Sequence, residues 1–454
     1  MSKMATVLVK RGFVERGWPR FKRTFLIFVA SLVALHPIAV KAAETLGWDD
    51  CVLEAARANP DLHVAESHLK SARYQVKSAW SGFFPQLSAN LGYSFGSSST
   101  NFATLPGSVP NTTATGGGGT DSFYSASVSA SENIFAGFSD KAKIKQAQAN
   151  REVARTGVDS ARAQLSFDLE SSFAGLLYAQ KALKLTQDII RRREEDRNMI
   201  QLRYENGREN KGSLLLSKAY WEQARYDELQ AKDDIKVSRR QLAKVLGRDE
   251  TADIRIVGAV PISTPPAIQD LKSLAHLSPD YQKAMAEKKA AKAAVTAARS
   301  PFFPSLNVTA TAGKQGSDWP PQNGRWSVGS NLSFPFFSGG KDYYATKSAT
   351  ASLEAATYNE ESIGRQVTTK LEQALTGFVE AVQKLRTDQS FLDAATVREE
   401  IARRQYENGL LSFQDWDIIE NDLIARQKQV LQSQRDRIIN EAAWEQSQGK
   451  GVFR

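Results

Sequence analysis

The chain has 454 residues with one cysteine, Cys51, and four histidines (His36, His63, His68 and His276), so it can form no internal disulfide and offers no metal-ligand spacing. It contains no Gly-x-Ser-x-Gly, no phosphate-cradling glycine loop before Lys-Ser/Thr and no dinucleotide fingerprint, which leaves no catalytic, cofactor-binding or metal site to assign and argues against an enzyme. The formal charge of +9 is concentrated in residues 1–43, which hold eight Lys/Arg and one acid; the 51 bases and 49 acids beyond them nearly cancel, and nucleic-acid binding gains no support.

Residues 1–43 read as a secretory signal peptide. Seven basic residues from Lys3 to Arg23 precede the apolar run Thr24–Leu35, and small residues follow, placing cleavage after Ala42 or Ala43. The run is too short for a retained helical span, which needs about 20 residues. Cys51 follows Trp-Asp-Asp rather than small apolar residues and reads as a helix residue, not an acylated N-terminus. The first repeat unit covers 44–247. Pro60 opens a helix over about 60–83, and Pro85 ends it. Alternation then predicts strands over about 86–95 and 123–135, joined by a glycine- and serine-rich loop that includes Gly116–Gly119. A helix of nearly 70 residues, from about Ser139 to Asn206, leads to a turn over 204–213 and a return helix over about 213–246.

The segment 248–270, with Pro261, Pro265 and Pro266, reads as a linker between units. The second unit, 271–447, repeats the order: a helix over about 279–301, strands over about 305–312 and 325–335, a long helix from about Lys341 to Asn408, a turn over 406–412 and a helix over about 412–447. Residues 448–454 form a short tail.

The repetition is in register. Tyr204-Glu205-Asn206-Gly207 recurs 202 positions later as Tyr406-Glu407-Asn408-Gly409. The apolar stripe Leu165, Leu169, Phe173, Leu176, Ala179, Leu183 recurs at the same offset as Val367, Leu371, Leu375, Phe378, Ala381, Leu385. Upstream the offset is 219, matching Phe84-Pro85-Gln86-Leu87 to Phe303-Pro304-Ser305-Leu306, so the first unit has 17 extra residues between Leu87 and Ile134. Insertions are best tolerated in such an exposed loop.

On the first strand Leu87, Ala89, Leu91, Tyr93 and Phe95 alternate with Ser88, Asn90, Gly92 and Ser94, giving one apolar and one polar face. A soluble sandwich would need further strands to cover the apolar face, and no third strand cluster exists; lipid is the other way to cover it, with the polar face toward a water-filled lumen. Four strands cannot close a barrel, and open edges are not tolerated in lipid. Either several copies close the barrel, or the protein is an elongated periplasmic coiled coil without a pore, a structural alternative that leaves the alternating strands unexplained. In each unit the two shorter helices together nearly match the long one, which predicts one continuous helix beside two stacked ones.

Asn59-Pro60-Asp61, Phe84-Pro85-Gln86-Leu87, Ile134-Phe135-Ala136-Gly137, Arg203-Tyr204-x-x-Gly207, Pro335-Phe336-Phe337-Ser338-Gly339-Gly340-Lys341 and Tyr406-x-x-Gly409 with Asp415 occur in the order and spacing of the TolC-type outer-membrane efflux and type I secretion channel family, which the chain resembles from about 46 to 447. The resemblance implies a mixed α/β membrane protein: a homotrimer with a 12-stranded transmembrane β-barrel in the outer membrane and a long helical barrel crossing the periplasm. It implies a periplasmic adaptor and an inner-membrane transporter of RND or ABC type as partners, outer-membrane lipid around the strands, and drugs, toxic compounds or secreted proteins as cargo. It places the linker in an equatorial collar, the helix-hairpin tips with Gly207, Ser213, Gly409 and Ser412 at the adaptor, and Asp415 and Tyr406 at the periplasmic entrance.

From the residues themselves, Asn-Gly suits a helix stop, and Ser213 and Ser412 are expected to cap the return helices. Ser412-x-x-Asp415 is also a capping pattern, so Asp415 has a structural reading beside the entrance one. Tyr406 likewise has a plain packing reading inside the hairpin. Departures from the family stand at Ser213, Leu411 and Ile418, and Asp417 and Glu420 lie on other helical faces.

Overall fold

The structure, a computed structural model, describes residues 44–97, 120–248, 254–266 and 270–453. The signal-peptide reading, most of the glycine-rich loop and parts of the linker fall outside the described residues. The elements run β1 (Glu44–Leu46), α1 (Trp48–Ala58), α2 (Pro60–Ala79), β2 (Gln86–Ser97), β3 (Thr120–Ala136), α3 (Ser139–Glu205), α4 (Lys211–Leu246), β4 (Ile254–Ile256), α5 (Leu271–Leu277), α6 (Pro279–Ala298), β5 (Ser305–Gly316), β6 (Asn323–Ser333), α7 (Lys341–Glu407) and α8 (Phe413–Ser447).

The duplication is visible in the local chemistry. The Asn59 side chain accepts from the Leu62 N–H at 3.0 Å to start α2, and Ser278 Oγ accepts from the Tyr281 N–H at 3.3 Å to start α6, each with proline in the first turn. Both helices end in short 3-10 turns, Trp80–Phe83 and Ser300–Phe302, so the predicted helices over 60–83 and 279–301 are α-helical only to Ala79 and Ala298. At the strand-to-helix junction Gly137 has φ +57, and a Cβ there would lie 2.3 Å from the Ser300 carbonyl oxygen. Only glycine lets these two turns meet.

α3 and α7 are each 67 residues long, roughly 100 Å at about 1.5 Å per residue. α2 and α4 pack along α3, and α6 and α8 pack along both α3 and, on the other side, α7. The expected arrangement of one continuous helix beside two stacked ones therefore occurs twice. The predicted stripe forms the core at mid-length. Leu169, Phe173 and Leu176 meet Cys51, Ala55, Leu242 and Leu246, while Leu371 and Phe378 meet Ala275 and Trp444. Leu375 and Ala381 are only half-buried where their counterparts Phe173 and Ala179 are buried, because α5 covers the second stripe less fully than α1, β1 and β4 cover the first. Cys51 is a helix residue, fully buried in α1; burial first, then Glu54 and Asp50, push its thiol up to about 12.

The segment expected to be a plain linker contributes β4, which forms a two-stranded ladder with β1; the Val257 N–H donates to the Leu46 carbonyl at 3.0 Å. Among the other short elements, α5 was also unforeseen, and α1 was anticipated only through the reading of Cys51 as a helix residue. Strands of three residues and a helix of seven are too short for their periods to show.

The four longer strands make one antiparallel sheet in the order β2-β3-β5-β6, and each runs a few residues off the predicted bounds. The register brings like to like. Leu87, Ala89, Leu91 and Tyr93 lie opposite Ala130, Val128, Ala126 and Tyr124, and Ala310 and Ala312 lie opposite Val328 and Trp326. The alternate face pairs Ser88 with Ser129, Thr311 with Ser327 and Asn307 with Asn331. The apolar face is bare: Leu91 is 80% exposed and Trp326 78%. Aromatic residues gather at both ends of it. Tyr93, Tyr124 and Trp319 adjoin at one end, and Phe135, Phe138 and Phe303 at the helix end, the distribution of a membrane-facing band. β2 and β6 are the sheet's edges.

Candidate functional site: the helix-hairpin tips

At the far ends of α3 and α7 the two Tyr-Glu-Asn-Gly copies form the same turn. Gly207 and Gly409 have φ +70 and +76, the N–H of each donates to the tyrosine three residues back at 2.9 Å, and the Arg208 and Leu410 N–H groups each close on the carbonyl five residues back at 2.8 Å. This is the αL stop expected of Asn-Gly. The return helices begin differently from expectation. Ser412 does cap α8: its hydroxyl accepts from the Asp415 N–H at 3.2 Å and donates to Asp415 Oδ2 at 2.6 Å. Ser213 is not a cap. The Asn210 side chain caps α4, accepting from the Ser213 N–H at 2.9 Å, and Ser213 lies buried in the first turn. The repeat offset of 202 makes Asn210, not Ser213, the counterpart of Ser412.

Asp415 is exposed beside its cap, so the structural reading of this residue holds. Ile418 is 64% exposed one turn further on. Tyr406 lies inside the tip. It is 1% exposed, stacks on Trp416 at 4.7 Å with the rings 10° apart, and meets Phe413 edge-on at 6.2 Å. The Arg203 guanidinium covers the Tyr406 ring at 4.4 Å and donates to the Tyr406 and Glu407 carbonyls at 2.9 and 3.3 Å, closing the C-terminal end of α7 from the other hairpin. The Tyr406 hydroxyl donates to Glu209 Oε2 at 2.9 Å, in the loop of the first hairpin. Burial first, then Glu209, raises the phenol above its ordinary value. The two hairpins are thus tied at their tips by one tyrosine and one arginine, each reaching across.

A buried charged layer lies about two turns behind. Arg193 of α3 donates to Glu420 Oε2 at 2.7 Å and to Asn421 Oδ1 at 2.6 Å, with Asp417 Oδ1 3.7 Å away. Arg403 of α7 donates to Asp196 at 2.9 Å and to Glu399 at 2.9 Å, and its guanidinium lies over Trp416 at 5.3 Å. Tyr220 of α4 donates to Asp417 Oδ2 at 3.1 Å. Asp417 and Glu420 therefore face this interior layer. Burial raises both carboxyls above their ordinary range.

The "Outer membrane efflux protein" family model matches residues 52–248 and 271–450. The chain belongs to the outer membrane efflux protein family. Among its relatives, "Probable outer membrane lipoprotein SilC" of Salmonella typhimurium is 23% identical over 434 residues, covering 91% of this chain and 90% of that protein. "Alkaline protease secretion protein AprF" of Pseudomonas aeruginosa is 26% identical over 234 residues, 49% of this chain and 48% of that protein. The Campylobacter jejuni CmeC outer membrane channel has the same fold, with a TM-score of 0.79 at 16% identity over 88% of this chain and 85% of its own. The family model's two segments correspond to the two repeat units of this efflux protein.

Sequence reasoning singled out the turns of this efflux protein but missed Arg193, Asp196, Arg403 and Glu209, and quoted Arg203 only as part of a motif without a role. A weak signal existed: Arg193, Asp196, Ile200 and Arg203 are spaced three, four and three, one face of a helix. Their partners lie more than 195 positions away, where no local pattern reaches.

Proposed function

We propose that three copies of this chain close into the outer-membrane duct of a tripartite export system. Twelve strands would form the barrel in the outer membrane, and the helices would form the tunnel through the periplasm. The observation that carries this reading is the bare sheet: apolar on one face, polar on the other, ending in two edge strands, and continuous with two helices of 67 residues. Open edges are unstable in lipid, and further copies would pair them. The edges of the helical layer, α2 with α4 on one side and α7 on the other, would pack together in the same closure.

The duct performs no chemistry. An inner-membrane transporter of RND or ABC type would supply the energy, and a periplasmic adaptor would dock on the tips around Gly207, Ser213, Gly409 and Ser412. The cargo would be drugs, other toxic compounds or secreted proteins. Deletion of the gene separates these, since drug and detergent sensitivity marks efflux and loss of exported protein marks secretion. Three Asp415 carboxylates around the axis would form a negative ring at the entrance, with Tyr406 holding the tips together behind it. Asp415→Ala in planar bilayers is expected to lower cation selectivity and relieve divalent-cation block. Unchanged conductance, selectivity and block would overturn this role.

A further inference from the structure

The charged layer behind the tips holds more carboxylates than cations. Asp196 comes from α3, Glu399 from α7, and Asp417 and Glu420 from α8; against them stand only Arg193 and Arg403. The neutral groups facing the layer are Tyr220, Asn421 and Trp416. Neighbouring charges are engaged elsewhere. Arg192 donates to Gln427, Asp422 pairs with Arg426 and Arg398, and Arg203 and Glu209 serve Tyr406.

The oxygens can be accounted for one by one. Asp196 Oδ1 accepts from Arg403, but Asp196 Oδ2 has no partner. Glu420 Oε2 accepts from Arg193, but Glu420 Oε1 has none; the nearest cation, Arg403 Nη2, is 3.9 Å away and itself unpartnered. The two carboxyls reach the same guanidinium, Asp196 Oδ1 at 2.9 Å from Arg403 Nη1 and Glu420 Oε1 at 3.9 Å from Arg403 Nη2, and they are 2% and 1% exposed. Two ionised carboxylates with inward-facing bare oxygens cost several kcal/mol in such a site. An oxygen pair that lacks a donor is satisfied by one hydrogen.

We propose that Asp196 and Glu420 share a single proton, donated from Glu420 Oε1 to Asp196 Oδ2, and that this proton fastens the first helix hairpin to the second behind the tips. It supplies the missing donor and removes one of the layer's two surplus negative charges. Burial first and the Asp196 carboxylate second both raise Glu420, so the proton stays through neutral pH. As pH rises through that raised value the proton leaves, and two adjacent buried carboxylates push α3 from α8. The ratio of deprotonated to protonated sites rises about tenfold per pH unit. On the reading of the tips as the periplasmic entrance, alkaline conditions loosen the entrance while neutral and acidic conditions keep it closed.

The test uses the full chain in lipid or detergent. With Glu170, another buried carboxyl that keeps its proton at neutral pH, replaced by Gln in every sample, difference infrared spectroscopy is expected to show a protonated-carboxyl C=O band at neutral pH that disappears on alkaline titration and is absent when Glu420→Gln is added. In that variant the amide oxygen still accepts from Arg193 and the amide NH₂ donates to Asp196. Hydrogen exchange of residues 193–213 and 399–420, corrected for intrinsic rates, is expected to lose protection above the midpoint in the wild type and to stay flat in Glu420→Gln. Asp196→Asn, whose NH₂ donates to Glu420, is expected to behave likewise and serves where the first variant folds poorly. A band that persists in Glu420→Gln and Asp196→Asn, or the same alkaline loss of protection in both, would overturn the shared proton. Infrared and exchange results as expected, with a conductance indifferent to pH, would overturn the entrance reading and leave the proton standing.

Discussion

Removing the Tyr406 hydroxyl isolates the tie between the hairpins. Tyr406→Phe deletes the donor to Glu209 Oε2 but keeps the ring against Trp416 and under Arg203. A hydrogen bond to a charged group contributes about 1.5–3 kcal/mol. Glu209 is half-buried and regains water once the tie is gone, which reduces the net loss to about 1–1.5 kcal/mol. That corresponds to a roughly five- to thirteenfold rise in local opening. Tyr406→Ala also empties a core site and is expected to cost about 3–5 kcal/mol. The control is Tyr204→Phe in the other copy of the tetrapeptide. Tyr204 is 39% exposed and its hydroxyl has no partner among the described residues, so no effect is expected. Hydrogen exchange over 399–420 reads opening, and bilayer conductance reads the entrance. Equal effects of the 204 and 406 changes, or faster exchange in the strands instead of the tips, would refute the reasoning.

Leu91→Arg on the bare face of the sheet should lower the melting stability of the assembled protein by about 2–4 kcal/mol, whereas its neighbour Asn90→Arg on the polar face should assemble normally and alter conductance. Gly137→Ala forces a left-handed conformation costing about 1–2 kcal/mol and a backbone clash at Ser300; the yield of assembled protein in the outer-membrane fraction should fall sharply. Glu170 is raised from 4.5 to about 8 by burial first and then by Glu445 and Glu441. The folded state binds this proton more tightly, so its contribution is full below about 4.5 and is lost as pH rises through about 8. Glu170→Gln should flatten the decline in melting temperature across that window.

The duplicated architecture was legible because both of its periods are strong. The alternation of Leu87 to Phe95 with small polar residues gave the sheet faces, and the stripe from Leu165 to Leu183 gave the core of α3. The β1–β4 ladder was not legible: the two strands span three residues each and are held by pairing across the chain. The cap of α4 was misassigned to Ser213 although the offset pointed to Asn210, because serine is as good a cap as asparagine and stood near the turn. The charged layer could not be seen at all. In helices rich in polar residues, burial of Arg193, Asp196 and Glu420 depends on which neighbour covers them, and that is decided by packing between hairpins, which joins residues as far as 227 positions apart.

The closure of separate copies into one barrel is tested most directly by cross-linking cysteines placed on the edge strands β2 and β6, with the native Cys51 fully buried and silent. Outer-membrane fractions, oxidised and run without reductant, are predicted to show a ladder that stops at the trimer. A chain recovered as a soluble periplasmic monomer, with no cross-links between β2 and β6, would contradict the account.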